Sequence, residues 1–269
     1  MQFSDFEYDG IALSDMGMTV VSFDGVQDGD ITTDSQRSFE SIGLFGGRYQ
    51  PFLTSVYEDR LEIEFSIGKN LCNDENDFIL SIEEIENLQY WLNRPTPHKF
   101  KILDDEEYAD VYWEGSFNLQ WVKYGERIVG VNLTFISNRP YAQGERIAYI
   151  EDLTSSNELV INDISSDEGK IIPDVKLVLK ENGNLEFVNT FNGILTITKI
   201  NNCKKDEIIT ISHMMQIYSN LQSHDIYNDF NWVFPSIFNT YDLVTNTFTS
   251  NLECECVIAY NPVRKVTFS

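Results

Sequence analysis

The sequence has 269 residues with 43 acidic and 19 basic side chains, a net charge of −24. That balance excludes a Lys/Arg-dominated nucleic-acid binder, because neutralising phosphate needs a positive surface. Hydrophobic residues at 42% and aromatics at 13% can fill a core and exclude a disordered acidic tail, and 15 Gly with 7 Pro exclude a collagen-like or linker-like chain.

In chain order, the opening stretch from Met1 to Asp15 has no basic or apolar signal region, and no apolar run approaches the roughly 20 residues that span a bilayer. The chain is therefore expected to fold in a cytoplasm, with no membrane anchor. Asp9-Gly10, Asp24-Gly25 and Asp28-Gly29 read as turns. Asp24 to Asp30 has a faint calcium-loop look, but the twelfth position is Ser35 rather than Glu, so a hairpin loop is expected. The Gly46-Gly47 pair calls for unusual backbone angles. Leu44, Phe45 and Tyr49 beside it are the candidate oligomer interface, against the alternative that the loop folds onto its own core.

Alternation is the dominant period. Leu61, Ile63, Phe65 and Ile67 alternate with Glu62, Glu64 and Ser66; Val111, Trp113 and Gly115 with Tyr112, Glu114 and Ser116; Val131, Leu133 and Phe135 with Asn132, Thr134 and Ile136; and Val175, Leu177 and Leu179 with Lys176, Val178 and Lys180. Each reads as a half-buried strand, so the fold class is mainly β. One segment departs from this. Residues 81–93 place Ile82, Ile85, Leu88, Trp91 and Leu92 at helical spacing. Ser81 and Glu84 form a capping box, and Pro95 and Pro97 stop the helix. A single amphipathic helix should lie across a sheet through that stripe.

Further on, Asp104-Asp-Glu-Glu107 is a run of acids between Ile102 and Tyr108. A carboxylate pair for glycoside hydrolysis needs one desolvated carboxyl, so a solvated loop is the expectation. Strand character stops near Asn138 to Tyr141, which predicts two domains, 1–142 and 143–269, with a last strand that could return to the first. The first carries 26 acids and 10 bases (net −16), the second 17 and 9 (net −8). Asn182-Gly183-Asn184 reads as a hairpin signal and Asn192-Gly193 as a further turn. Ser212-His213 are neighbours on a strand with opposed side chains, so they are not a nucleophile–base pair.

Cys254 and Cys256 share a face with Ile258 and Tyr260. Together with Cys72 and Cys203 they read as structural thiols, since no His cluster accompanies them. No nucleophile elbow, Walker loop or dinucleotide fingerprint occurs, so no catalytic, cofactor-binding or metal-binding residues are expected, and no enzyme. Trp113, Trp121, Tyr124, Trp232 and Phe234 could line a sugar platform, although aromatics in a β-sandwich are more often core.

Several segments together resemble the distal tail protein family of long-tailed phages and tail-like bacteriocin particles. They are Phe6-Glu-Tyr-Asp-Gly-Ile11, Asp15-Met-Gly-Met18, Val21-Ser-Phe-Asp-Gly25 and Asp59-Arg-Leu-Glu-Ile-Glu-Phe-Ser66. The helix ending at Trp91-Leu92 with a strand at Lys99-Phe-Lys-Ile-Leu103, and the closing Leu133-Thr-Phe-Ile-Ser-Asn-Arg-Pro-Tyr141, continue the pattern. Ile172-Pro-Asp-Val-Lys-Leu177, Asn231-Trp-Val-Phe-Pro235 and Tyr260-Asn-Pro-Val-Arg264 extend it into the second half. The chain departs from the family between Pro235 and Thr249, where Asn, Thr and Phe replace Gly-rich turns.

The resemblance implies an N-terminal β-sandwich with one helix, forming a belt in a homo-hexameric ring, and an outward C-terminal galectin-like or carbohydrate-module-like β-sandwich. It implies a place at the virion tail tip or baseplate after assembly in the bacterial cytoplasm. The implied partners are the tail tube protein, the tail-tip protein and receptor-binding or baseplate proteins, and DNA passes the lumen without specific binding. The alternative function is a carbohydrate-binding β-sandwich module.

Overall fold

The computed structural model describes residues 3–23, 37–42, 52–57, 60–70, 78–104, 108, 110–154 and 156–265; for 37–42 and 52–57 it describes the backbone only. The chain divides into two compact units after Gln143, the second running to Arg264.

The first unit contains strands β1 (Phe6–Tyr8), β2 (Ile11–Ala12), β3 (Met18–Val21), β4 (Arg37–Ile42), β5 (Phe52–Tyr57) and β6 (Glu62–Lys69). Helix α1 (Ile82–Leu92) follows, then β7 (His98–Ile102), β8 (Val111–Tyr124) and β9 (Arg127–Ser137). The main sheet has the antiparallel order β2-β1-β7-β8-β9-β6-β3, and β4 and β5 pair separately. β1 and β6 are four steps apart in that order. In a flat sheet, at about 4.8 Å per step, they would lie nearly 20 Å apart. Yet the rings of Phe6 and Phe65 are 5.3 Å apart between centroids. The sheet is therefore curled so that its inner face closes on itself, sandwich-fashion, around Phe6, Phe100, Phe117 and Phe135. Its two ends meet where Ser4 O accepts from Val20 N at 3.1 Å.

Local chemistry explains these elements. Asp9 and Gly10 have φ of 53° and 77° and join β1 to β2 in a two-residue loop, the geometry that Asp-Gly favours. Both arms of the capping box on α1 are formed: Glu84 N donates to Ser81 Oγ at 3.2 Å, and Ser81 N donates to Glu84 Oε2 at 2.6 Å. Leu88, Trp91 and Leu92 are buried in the curled sheet, and Ile85 packs partly against it. Trp91 stacks on Phe6 at 5.7 Å and 8°, and its Nε1 donates to Tyr8 O at 2.8 Å. Ile82 corrects the predicted stripe, being 77% exposed. It occupies the first helical position, ahead of the turn that meets the sheet.

β10 (Ala142–Gly144) carries the chain into the second unit. There follow β11 (Ile147–Leu153), β12 (Leu159–Asn162), β13 (Gly169–Ile171), β14 (Asp174–Leu179), β15 (Gly183–Phe191), β16 (Ile194–Cys203), β17 (Ile208–Ser212) and β18 (Gln216–Ser219). The rest are α2 (Ile226–Asp229), β19 (Ile237–Asn239), β20 (Thr245–Ser250), β21 (Cys254–Tyr260) and β22 (Val263–Arg264). Two antiparallel sheets, β11-β21-β14-β17-β18 and β12-β20-β15-β16, enclose one core, and β13 pairs with β19. This is a β-sandwich, and the mainly β expectation is borne out. Val175, Leu177 and Leu179 face inward from one sheet, with Leu185, Phe187 and Phe248 from the other. Cys254, Cys256, Ile258 and Tyr260 form the expected buried row, and Cys203, Cys254 and Cys256 are free thiols; Cys72 lies outside the described residues.

The Asn182-Gly183-Asn184 expectation is corrected. β14 and β15 do not pair, because both edges of β14 are taken by β17 and β21. The stretch is a corner between sheets, held where Lys205 N donates to Asn182 Oδ1 at 2.8 Å and Asn202 N donates to Asn184 Oδ1 at 3.0 Å. The two-residue hairpin forms instead at Asn192-Gly193, with φ of 49° and 74°, joining Phe191 to Ile194.

Candidate functional site

The candidate interface residues Leu44, Phe45 and Tyr49 lie outside the described residues, as do Asp24 to Asp30 and Asp105 to Glu107. Asp104 of the acidic run anchors the start of the chain, where its Oδ2 accepts from the Ser4 N–H at 2.5 Å and the Ser4 hydroxyl at 2.7 Å. Ser212 and His213 are not coupled to each other. His213 instead meets Asp174, which accepts from the His213 amide at 2.7 Å and contacts its Nδ1 at 2.9 Å, while Arg146 lies 2.6 Å from the other oxygen. Burial works to raise the Asp174 carboxyl, but these partners outweigh it and hold it below the usual range.

One polar cluster was not read from the sequence. Glu207 is fully buried, and its Oε1 accepts from Ser219 Oγ at 2.5 Å and lies 2.5 Å from His224 Nδ1. Lys204 N donates to its Oε2 at 2.9 Å. Burial alone would raise this carboxyl; the Ser219, His224 and Lys204 bonds keep it below the ordinary glutamate value. His224 Nε2 faces Asp229 at 3.2 Å. The nearby Cys203 thiol is pushed up to about 12 by burial, then by Glu207. A thiol so hard to ionise is a poor nucleophile, and the bonds to Glu207 tie together the segments that carry Lys204, Ser219 and His224. Among the described residues no group of three or more His, Cys, Asp or Glu is placed to hold a metal.

The five candidate platform aromatics separate. Trp113 is buried in the first core, Trp121 and Phe234 are partly buried against their cores, and Tyr124 and Trp232 are exposed. Among the described residues of the first unit, the β8–β9 hairpin leaves part of a strand edge without a neighbour. β9 accompanies β8 from Gly115 to Tyr124, but β7 pairs with β8 only from Trp113 to Gly115, and β6 pairs with β9 only as far as Gly130. The β8 edge thus outruns β7 from Ser116 on, with Leu119 and Trp121 half-buried along the hairpin and Tyr124 75% exposed at its tip, while on the β9 side Ile128 O accepts from Leu80 N at 2.9 Å. Among the described residues no helix is long and apolar enough to cross a membrane.

Fold and surfaces together define a two-unit, mainly β protein. Residues 1–139 match the phage tail protein N-terminal domain and residues 141–260 the phage tail C-terminal domain. The chain belongs to this phage tail protein family and has a structural role in the tail. Among curated proteins no sequence matches it. Its fold is similar to that of the Dit protein (gp 19.1) of phage SPP1, a paradigm of the hub adsorption apparatus in Gram-positive infecting phages. That likeness has TM-score 0.64 and 13% identity, over 97% of this chain and 99% of Dit. A chain of the phage P2 baseplate, in its activated conformation with Ca, aligns over the full length of both at 10% identity and TM-score 0.44. The resemblance to distal tail proteins is borne out.

Proposed function

We propose that this protein is the distal hub of a phage tail: six copies form a ring that joins the tail tube to the tail-tip or baseplate proteins, and DNA passes through it. The observation that carries this reading is the β8 edge of the β8–β9 hairpin, which runs on past β7. A strand edge that outruns its neighbours offers backbone donors and acceptors to another chain, and closed symmetry satisfies every such edge. The first unit supplies the belt, and the second, galectin-like, faces outward to receptor-binding or baseplate components. The role is assembly in the host cytoplasm and residence at the tail tip, with no catalytic step.

The charge supports the same reading. The half assigned to the belt carries the larger negative excess, −16 of the −24. An acidic lumen repels phosphate and keeps DNA from sticking in transit. Native mass spectrometry of the purified chain, alone and with its tail tube protein, tests the ring. A sixfold mass is the expected result. A strict monomer at high concentration in both samples refutes it.

A further inference from the structure

Tyr227 and Trp232 form an exposed aromatic pair on the second unit. Their ring centroids are 6.2 Å apart and the planes differ by 17°, and the two residues are 54% and 57% exposed. Trp232 has a φ of 59°. Bulky side chains rarely occupy this left-handed region, and they persist there only where the surroundings impose it.

Here the surroundings do impose it. Asn231 N donates to Lys199 O at 3.1 Å, and Asn231 Nδ2 donates to Ile197 O at 3.0 Å. Asn231 Oδ1 accepts from Lys199 N at 3.0 Å and Val233 N at 3.3 Å. Thr198 Oγ1 donates to Val233 O at 2.8 Å. The buried Phe230 ring sits 5.6 Å from Trp232 and 5.2 Å from Phe234. On the Tyr227 side, Asn202 Nδ2 donates to Asp229 Oδ1 at 2.9 Å, and His224 connects the same aspartate to the buried Glu207. Both rings are thus held on a fixed frame. A strained backbone that presents an indole to solvent instead of to the core points to a ligand.

We propose that Tyr227 and Trp232 form a stacking site for the pyranose rings of a neutral glycan. The apolar C–H face of a pyranose lies flat on an aromatic ring, and this stacked pair, each residue more than half exposed, offers such a surface. A cationic ligand would prefer rings set steeply around it, which an angle of 17° does not provide. The net charge of −24 disfavours an anionic glycan. Asp225 and Asn228, both exposed and joined at 2.6 Å, flank Tyr227 in the chain and bring a carboxylate and an amide to bond sugar hydroxyls.

The test is a glycan array of neutral glucose, galactose and N-acetylglucosamine oligomers probed with the full chain, followed by calorimetric titration of the best oligomer. Tyr227→Ala and Trp232→Ala should each weaken binding about tenfold or more, and Trp232→Phe less. Trp232→Gly separates display from packing. Glycine accepts the left-handed backbone without strain, so Tm should hold or rise while binding is lost. A flat array, binding unchanged in both alanine variants, a large fall in Tm for Trp232→Gly, or displacement of the sugar by tetramethylammonium would each overturn the proposal. The native mass of the same samples reads the ring independently, so either idea can fail alone.

Discussion

Asn246 offers the sharpest energetic test of the second unit. It is fully buried on β20 and bonded on four sides. Its Oδ1 accepts from Phe238 N at 2.9 Å and from Asn189 Nδ2 at 3.1 Å. Its Nδ2 donates to Phe238 O at 2.8 Å and Val244 O at 3.1 Å. The side chain meets Phe238 as a neighbouring strand would, so β19 gains a partner on the side away from β13. Asn246→Ala leaves the Phe238 N–H and two carbonyls without partners. At about 1–2 kcal/mol for each group, the loss is about 4 kcal/mol. For a unit of roughly 120 residues each kcal/mol moves Tm by about 3–5 °C, so the shift is about 12 °C or more. Differential scanning calorimetry of the full chain should show one transition moving by that amount and the other unchanged. Asn246→Asp keeps the acceptor but not the donors and should recover little at neutral pH. A shift of less than about 3 °C for the alanine variant would refute the strand-mimic reasoning.

Other outcomes follow from the same geometry. Trp91→Phe keeps the stacking on Phe6 but loses the indole bond to Tyr8 O, so chemical denaturation should show a loss of about 1 kcal/mol in the first unit. Ser81→Ala removes one arm of the capping box and should cost about 1 kcal/mol by the same assay. Glu207→Gln should destabilise the second unit by about 1–3 kcal/mol at neutral pH, because the buried carboxylate's bonds from Ser219, His224 and Lys204 N are weakened or lost. The Glu207 carboxyl is lowered in the folded state, so its contribution is full above the ordinary glutamate value and fades as pH falls through the lowered native one. Denaturation curves of wild type and Glu207→Gln should therefore converge in acid. Asp174→Asn should show the same sign over the aspartate range, because the carboxyl is held low by His213 and Arg146.

Much of the local structure was written in the residues. Alternation placed Leu61 to Ile67 and Val175 to Leu179 on buried faces, because a strand's period of two lets one face be read directly. Ser81, Glu84 and Pro95 bounded the helix, because caps and stops act within a few residues. Asp9-Gly10 and Asn192-Gly193 made turns because their backbone angles are local preferences. Of the candidate site, by contrast, little could be read: Trp232 was named, but its exposure beside Tyr227 depends on what covers the rest of the unit. Only tertiary structure sent Asn182 to Asn184 into a corner, since β17 and β21 already hold both edges of β14. It alone brought Phe6 onto Phe65, paired Glu207 with His224, left Ile82 in solvent and turned Asn246 into a strand partner. A sequence states which face each segment must bury. Which other segment buries it is settled by the whole chain competing for edges and faces, and that competition has no local signature.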